Sequence, residues 1–174
     1  LSLPRAITFD GTRKSFGPGH PVDGILKLEG AQFGERFAGH SIAPAGLHDQ
    51  ITGTPFAPLT LMAGAQGQNL SVVGFMGVSV LNGYGPAGYP NREAQGEGAI
   101  AWLFDEDQYA LTIHIRGGES GAAQVSFLRR DGALLARIDV APVGEDAVGF
   151  LRRGGIDDIA GVVITNTDPQ GIAI

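Results

Sequence analysis

The chain has 174 residues, with 28 glycines, 10 prolines, no cysteine and a formal net charge of −6. Its length suits one domain over residues 1–174, and its acidic balance disfavours a general nucleic-acid binder, which needs a basic face. The lack of cysteine excludes disulfides, thiolate metal sites and cysteine nucleophiles, and no apolar run approaches the roughly 18 residues of a membrane span.

Short strands are the dominant pattern, and helical periodicity is almost missing. Residues 109–116 alternate apolar and polar side chains, which is typical of a half-buried antiparallel strand. Asp131-Gly132 separates two further alternating runs and predicts a hairpin. In chain order, the predicted strands are residues 5–9, 70–75, 109–116, 123–130, 133–140, 148–151, 159–165 and 171–174.

Two long Gly/Pro-rich stretches, residues 39–58 and 82–96, lack periodicity and are predicted as loops. Loops of this length often carry function. The second contains Tyr84, Tyr89, Asn91 and Arg92. Because sugars stack their C–H faces on aromatic rings and hydrogen-bond through their hydroxyls, these four residues are predicted to form a shallow glycan site. The alternative is that the tyrosines pack the loop onto the sheets.

Motifs at both ends of the chain carry a family resemblance. ITFDGT (7–12) and GAQFGERFAG (30–39) stand near the start, and GGIDDIAGVVITNTDPQGIAI (154–174) closes the chain. With GEGAIAWLFDEDQYALTIHI and FLRRDGALL between them, they resemble the secreted bacterial domains of proteins with a PEP-CTERM-type sorting tail. The resemblance implies an all-β, antiparallel β-sandwich of jelly-roll type, lectin-like and similar to carbohydrate-binding modules. It also implies a secreted, periplasmic or cell-surface location, and leaves open whether a sorting tail follows Ile174.

The same resemblance implies a calcium ion. In such folds the first and last strands lie close together, often near a structural calcium, which takes about six to eight oxygen ligands. The candidate donors near those strands are Asp10, Glu29, Glu35, Asn166 and Asp168. For Asp10 and Asp168, the alternative is ordinary turn chemistry.

The leading functional hypothesis is a non-catalytic, exported binding or cell-surface module, with a glycan or an extracellular matrix polymer as partner and no catalytic residue assigned. One alternative is a polysaccharide lyase or hydrolase on a jelly-roll scaffold, using His114, Arg116, Arg137 and Asp139 on a polar sheet face. Another is a self-assembling surface or matrix component, since exposed edge strands can extend sheets between chains. The oligomeric state is left open.

A hydrolytic trio is also conceivable within residues 39–58. His40 and His48 lie in this stretch with Ser41, and Asp49 follows His48 directly. Triads are defined by geometry rather than by closeness in sequence, and the chain has no G-x-S-x-G motif, so the sequence favours a binding role over catalysis.

Overall fold

The computed structural model describes residues 6–75, 77–141 and 147–174, and its regular structure is almost entirely β. The named strands pair antiparallel, and the described ranges contain no α-helix, only a 3-10 helix at Arg92–Ala94. These observations confirm the all-β, antiparallel prediction. No helix in the described part of the chain is long and apolar enough to cross a membrane.

The largest sheet has six strands. With strands numbered in chain order, its members are β2 (Leu26–Leu28), β3 (Ala31–Gly34), β10 (Ile100–Gln108), β13 (Ala123–Leu128), β14 (Leu134–Val140) and β16 (Ile159–Asn166). They lie in the order β14–β13–β16–β10–β3–β2, so β14 and β2 form the two edges. The Asp131-Gly132 hairpin joins β13 to β14, as the sequence predicts.

Smaller sheets complete the molecule. Their strands are β1 (His20–Val22), β4 (Arg36–Phe37), β5 (His40–Ala45), β6 (His48–Gly53), β7 (Leu61–Met62), β8 (Leu70–Phe75), β9 (Val78–Gly83), β11 (Ala110–His114), β12 (Arg116–Gly117), β15 (Ala147–Leu151) and β17 (Ile172–Ala173). β1, β8 and β9 form one three-stranded sheet, and β11–β15, β12–β17, β4–β7 and β5–β6 form pairs. The chain end links β17 to β9, because the N–H groups of Leu81 and Ile174 each donate to the other residue's carbonyl at 2.8 and 3.0 Å.

The main hydrophobic core is shared by the six-stranded sheet and the smaller sheets. Alternation along each strand selects its members: Val125 and Phe127 of β13 meet side chains such as Val72 of β8, Ile113 of β11 and Ile172 of β17. A second apolar cluster covers the opposite face of the six-stranded sheet. Its members are Phe37, Leu59, Ala101, Leu128, Ala160 and Val163.

Two predictions about local structure are wrong. Residues 39–58 do not form a long loop, since β5 and β6 make a regular hairpin within them, with Gly46 at φ 70° in the turn. Residues 6–9 form no strand, and residue 5 lies outside the described ranges. Phe9 instead buries its ring edge-on against Phe33, 5.3 Å between centroids, so the apolar pattern there reflects side-chain burial without backbone pairing.

The residues that follow β9 cross the residues that precede β10 so closely that position 98 is expected to require glycine. A Cβ at Gly98 would lie 2.5 Å from backbone atoms of Tyr84, a contact that only a backbone shift could relieve. Gly98→Ala is therefore expected to lower the free energy of unfolding by about 1–3 kcal/mol, measured by urea denaturation. Gly24→Ala is the matched control, because nothing lies within 4 Å of its added Cβ, and it should stay within about 0.5 kcal/mol of the parent. Equal effects of the two substitutions would contradict this description of the crossing.

Candidate functional site

A cleft of about 350 Å³ lies over β8, β9, β12 and β17. Alternation within these strands decides which side chains reach it. Val72 belongs to the main core, whereas its neighbour Val73 forms a separate apolar cluster with Val80 and Ala173. These three side chains line the cleft, so its floor is apolar and lies on the face of β8 and β9 that points away from the main core.

Polar side chains from separate segments surround this floor. Arg92 and Gln95 come from the 3-10 helix and the residue after it, Arg116 comes from β12, and Gln170 precedes β17. The Arg92 guanidinium donates one hydrogen bond to the carbonyl of Gly17 at 3.3 Å, which fixes its position. None of the described residues that line the cleft is acidic. The cleft is therefore lined by two guanidinium groups and two side-chain amides around an apolar floor.

Asn82 of β9 adds a buried amide to the same cleft. It lies on the Val80 side of the strand, opposite Ser71 of β8, and is only 5% exposed. Its Nδ2 atom has no hydrogen-bond partner in the described structure. A buried donor without a partner costs free energy, so an acceptor that reached this position would be stabilised.

Backbone contacts hold the cleft together. The N–H of Ile172 donates to the carbonyl of Gly96 at 3.0 Å, and Ile172 also pairs with Gly117 of β12. Gly96 and Gly171 adopt φ values of 85° and 73°, and a Cβ on either would lie within 3.0 Å of the other segment's backbone. Only glycine fits this approach, which sets Gln95 and Gln170 on one cleft.

The four residues of the predicted aromatic glycan site do not form one surface. Tyr84 is 1% exposed, its hydroxyl donates to the Pro18 carbonyl at 2.7 Å, and Tyr89 packs edge-on against it. Burial raises the pKa of Tyr84 to about 12. The prediction that Tyr84 provides a stacking surface for a sugar is therefore wrong, because its ring packs the loop onto the sheets. Asn91 caps the 3-10 helix by accepting from the Glu93 N–H, and Arg92 alone of the four predicted residues lines the cleft.

The five predicted calcium ligands lie in different places. Asp10 is exposed and accepts from the Ser79 N–H, Glu29 is exposed in the turn between β2 and β3, and Glu35 is buried beside Arg36. Asn166 and Asp168 do lie together, where the Asn166 side chain accepts from the Asp168 N–H.

Other bonds involve the same candidate donors. The Asp168 carboxylate accepts from the backbone of Ser120 and Gln170, and the Asn166 Nδ2 donates to the Gly96 carbonyl. Within the described ranges, no three His, Asp or Glu side chains form a group that could hold a metal ion. Calcium binding stays a prediction.

The residues of the catalytic alternatives are also separated. His114 and Arg116 lie in β11 and β12, whereas Arg137 and Asp139 lie in β14 of the six-stranded sheet, where they bond to Ser126 and Gln124. The four residues therefore do not share one sheet.

The hydrolytic trio considered within residues 39–58 does not assemble either. His48 contacts the buried Glu97, and the Asp49 carboxylate accepts from the Ala99 N–H at 3.2 Å. His40 lies near the ring of Phe37, 6.2 Å between centroids. The expected His–Asp pairing is thus replaced by contacts of each side chain with another partner.

Three buried carboxyl groups are a feature that the sequence reasoning missed. Burial raises the pKa of Glu35 and of Glu97 to about 7, and that of Asp49 to about 6. The hydrogen bond from the Ala99 N–H acts to lower the pKa of Asp49, and the charge of Arg36 acts to lower the pKa of Glu35, but burial has the larger effect on both. Burial also lowers the pKa of His48. The pKa shifts of His48 and Glu97 therefore both favour the uncharged form of the side chain. No periodic pattern marks these acids, because they lie at strand ends and in a Gly-rich turn.

Asp49 provides a test of this burial. A carboxyl whose pKa is raised on folding stabilises the folded chain below its unfolded pKa, near 4, and loses that contribution as pH rises through its folded pKa of about 6. Asp49→Asn removes this dependence while keeping an acceptor for the Ala99 N–H. From pH 4 to pH 8 the variant should therefore gain on the order of 1–3 kcal/mol relative to the parent in urea unfolding. A constant difference across this range, or the same gain in the exposed Asp139→Asn control, would contradict the prediction.

Comparison with known proteins supplies no relative from which an activity could be transferred. No protein-family model matches the chain. No curated protein and no solved structure matches it either. The function must therefore be argued from the residues of the cleft themselves.

Proposed function

We propose that this chain is a non-catalytic binding module that holds a saccharide in the cleft over β8, β9, β12 and β17. The observation that carries the proposal is the combination of an apolar floor with a polar margin in that cleft. A sugar ring has the same division, with apolar C–H faces and a hydroxyl rim. The floor would contact a ring face, and the guanidinium and amide groups would reach the hydroxyl oxygens.

The size of the cleft supports this proposal. Its volume of about 350 Å³ lies at the lower end of the range for small-molecule sites. The floor side chains are small and aliphatic, so affinity would come from contact area and hydrogen bonds rather than from aromatic stacking. A shallow, polar-rimmed site of this kind suits reversible binding of one or a few sugar units.

The described lining of the cleft favours binding over the lyase or hydrolase alternative. Glycoside hydrolysis uses two carboxyl groups across the scissile bond, and proton abstraction needs a base such as His or Tyr. The described lining residues contain Arg, Gln and Asn but no Asp, Glu, His or Tyr. These side chains can position a ligand and hold charge, which is the chemistry of recognition.

The fold and the location form part of the same proposal. The six-stranded sheet and the smaller sheets that share the main core are proposed to form a β-sandwich of jelly-roll type. The pairing of the chain end with both β9 and β12 supports this proposal. An exported or cell-surface module with a structural calcium ion follows from the family resemblance. An extracellular polysaccharide is the partner that this combination implies.

Gln170 tests the site without disturbing the fold, because its side chain is exposed and only its backbone N–H bonds to Asp168. The chain should bind at least one polysaccharide in a panel that includes pectin, alginate, galactan, cellulose and chitin. Gln170→Ala should weaken that binding about fivefold in titration calorimetry, the equivalent of one hydrogen bond of about 1 kcal/mol. Gln50→Ala, an exposed glutamine on β6, is the matched control. No binding across the panel, or equal effects of both variants, would overturn the proposal.

Self-assembly is a second candidate function, favoured by a separate groove. β14 lies at the edge of the six-stranded sheet, and Ile138 on β14 and Leu151 on β15 line the groove while remaining 41% and 75% exposed. An edge strand beside exposed apolar side chains can pair with another chain. If it does, sedimentation velocity should show larger species as concentration rises, and Ile138→Lys should abolish them. A monomer at all concentrations would exclude this candidate.

A further inference from the structure

The outer edge of β14 is the longer of the two free edges of the six-stranded sheet. Five of its seven residues are exposed, and no described strand pairs with β14 on the side away from β13. β2, at the other edge, has only three residues. Because an edge strand carries unpaired N–H and C=O groups, it can pair with a strand of another chain, and β14 offers the longer surface for such pairing.

The two faces of β14 carry different side chains. Ile138 lies opposite Val125 of the main core and lines the apolar groove, yet it is 41% exposed. Arg137 and Asp139 are exposed and alternate with Ile138, so they lie on the other face. Each bonds to a side chain of β13, Arg137 at 3.2 Å and Asp139 at 2.9 Å. The edge therefore combines an apolar residue on one face with a cation and an anion, two residues apart, on the other.

The spacing of these two charges matches a second copy of β14. When two identical strands pair antiparallel about a two-fold axis, the central residue lies opposite itself, and residues equally far on either side lie opposite each other. With Ile138 at the centre, Arg137 of each copy lies opposite Asp139 of the other. A centre at residue 137 or 139 would instead place two like charges opposite each other, which destabilises a strand pair. The charges therefore select one register.

We propose that two copies of this chain associate through β14, antiparallel and centred on Ile138, so that their six-stranded sheets become one continuous sheet. This proposal rests on the second candidate function, self-assembly, and specifies its partner, register and symmetry. The opposed Ile138 side chains join the apolar grooves of the two copies on one face, and two Arg137–Asp139 pairs form on the other. A two-fold interface uses both β14 edges and closes, so assembly ends at the dimer.

Charge reversal at one position tests the register on the full chain. Arg137→Glu makes both cross-strand pairs carboxylate pairs, and Asp139→Arg makes both guanidinium pairs. In sedimentation velocity, the parent should approach a dimer as concentration rises, and each variant should dimerise about tenfold more weakly. Lys27→Glu is the matched control, because it makes the same change of charge at an exposed position on β2, and it should leave dimerisation unchanged.

A mixture of the two variants tests the same pairing by restoring it. In a mixed dimer, the carboxylate introduced at position 137 lies opposite the guanidinium introduced at position 139. The unchanged Asp139 of the first variant lies opposite the unchanged Arg137 of the second. An equimolar mixture should therefore dimerise about tenfold more tightly than either variant alone. Such recovery also shows that both variants are folded, because an unfolded chain could not restore the interface.

The outcomes distinguish self-assembly in general from this dimer. A monomer at all concentrations would overturn both, and it would leave saccharide binding, which is measured separately, untouched. Association that neither charge reversal weakens, or a mixture no tighter than the single variants, would overturn the register and leave self-assembly standing. Species that grow beyond the dimer would overturn the two-fold symmetry. Equal weakening by Lys27→Glu would reflect the overall charge of the chain and would also overturn the proposed pairing.

Discussion

The pairing of the last strand with two earlier segments is the constraint on which the cleft depends. β17 bonds to β12 on one side, and Ile174 exchanges two backbone hydrogen bonds with Leu81 of β9 on the other. Alternation along β17 then places Ile172 in the main core and Ala173 on the cleft floor. The same short segment therefore stabilises the fold and contributes Ile172 and Ala173 to the lining of the cleft.

This arrangement needs close backbone approaches, and these explain part of the glycine content. Gly96 approaches Gly171 of the cleft lining closely, and Gly98 crosses the backbone of Tyr84. Side chains at Gly96 or Gly171 would separate β17 from the segment that follows the 3-10 helix and would disturb the cleft. The buried acids Glu35, Asp49 and Glu97 lie outside the lining of the cleft, and their raised pKa values are a cost of burial that becomes larger as pH rises.

Much of the strand content could be predicted, because alternation and turn chemistry are local signals. The run at 109–116 contains β11, and Asp131-Gly132 marks the hairpin between β13 and β14. The hairpin of β5 and β6 could not be predicted in this way, since its small and polar residues do not alternate. Phe9 shows the opposite case, where an apolar run reports burial of a side chain but not a strand.

The candidate site was less predictable, because its residues meet only through tertiary pairing. Arg92 was singled out from its loop, and Arg116 from its strand, but nothing in the sequence places them at one cleft. Asn82 begins the predicted loop 82–96, but nothing in the sequence shows that its amide is buried and lacks a partner. Tyr84 was expected to face a ligand, and only the hydrogen bond from its hydroxyl to Pro18 reveals that it faces inward. Sequence periodicity does not reveal which distant segments pair with one another.

The central claim is that the cleft over β8, β9, β12 and β17 binds a saccharide, and a residue-resolved titration tests it most directly. In a ¹H–¹⁵N NMR titration with oligosaccharides of the pectin, alginate, galactan, cellulose and chitin panel, the account predicts shifts concentrated in the backbone amides of Gly117, Gly171 and Ala173 and in the side-chain amides of Asn82 and Gln170. Amides of β5 and β14 should stay unchanged. Shifts that concentrate on β14 and β15, or the absence of any shift in the cleft with every oligosaccharide of the panel, would contradict the account.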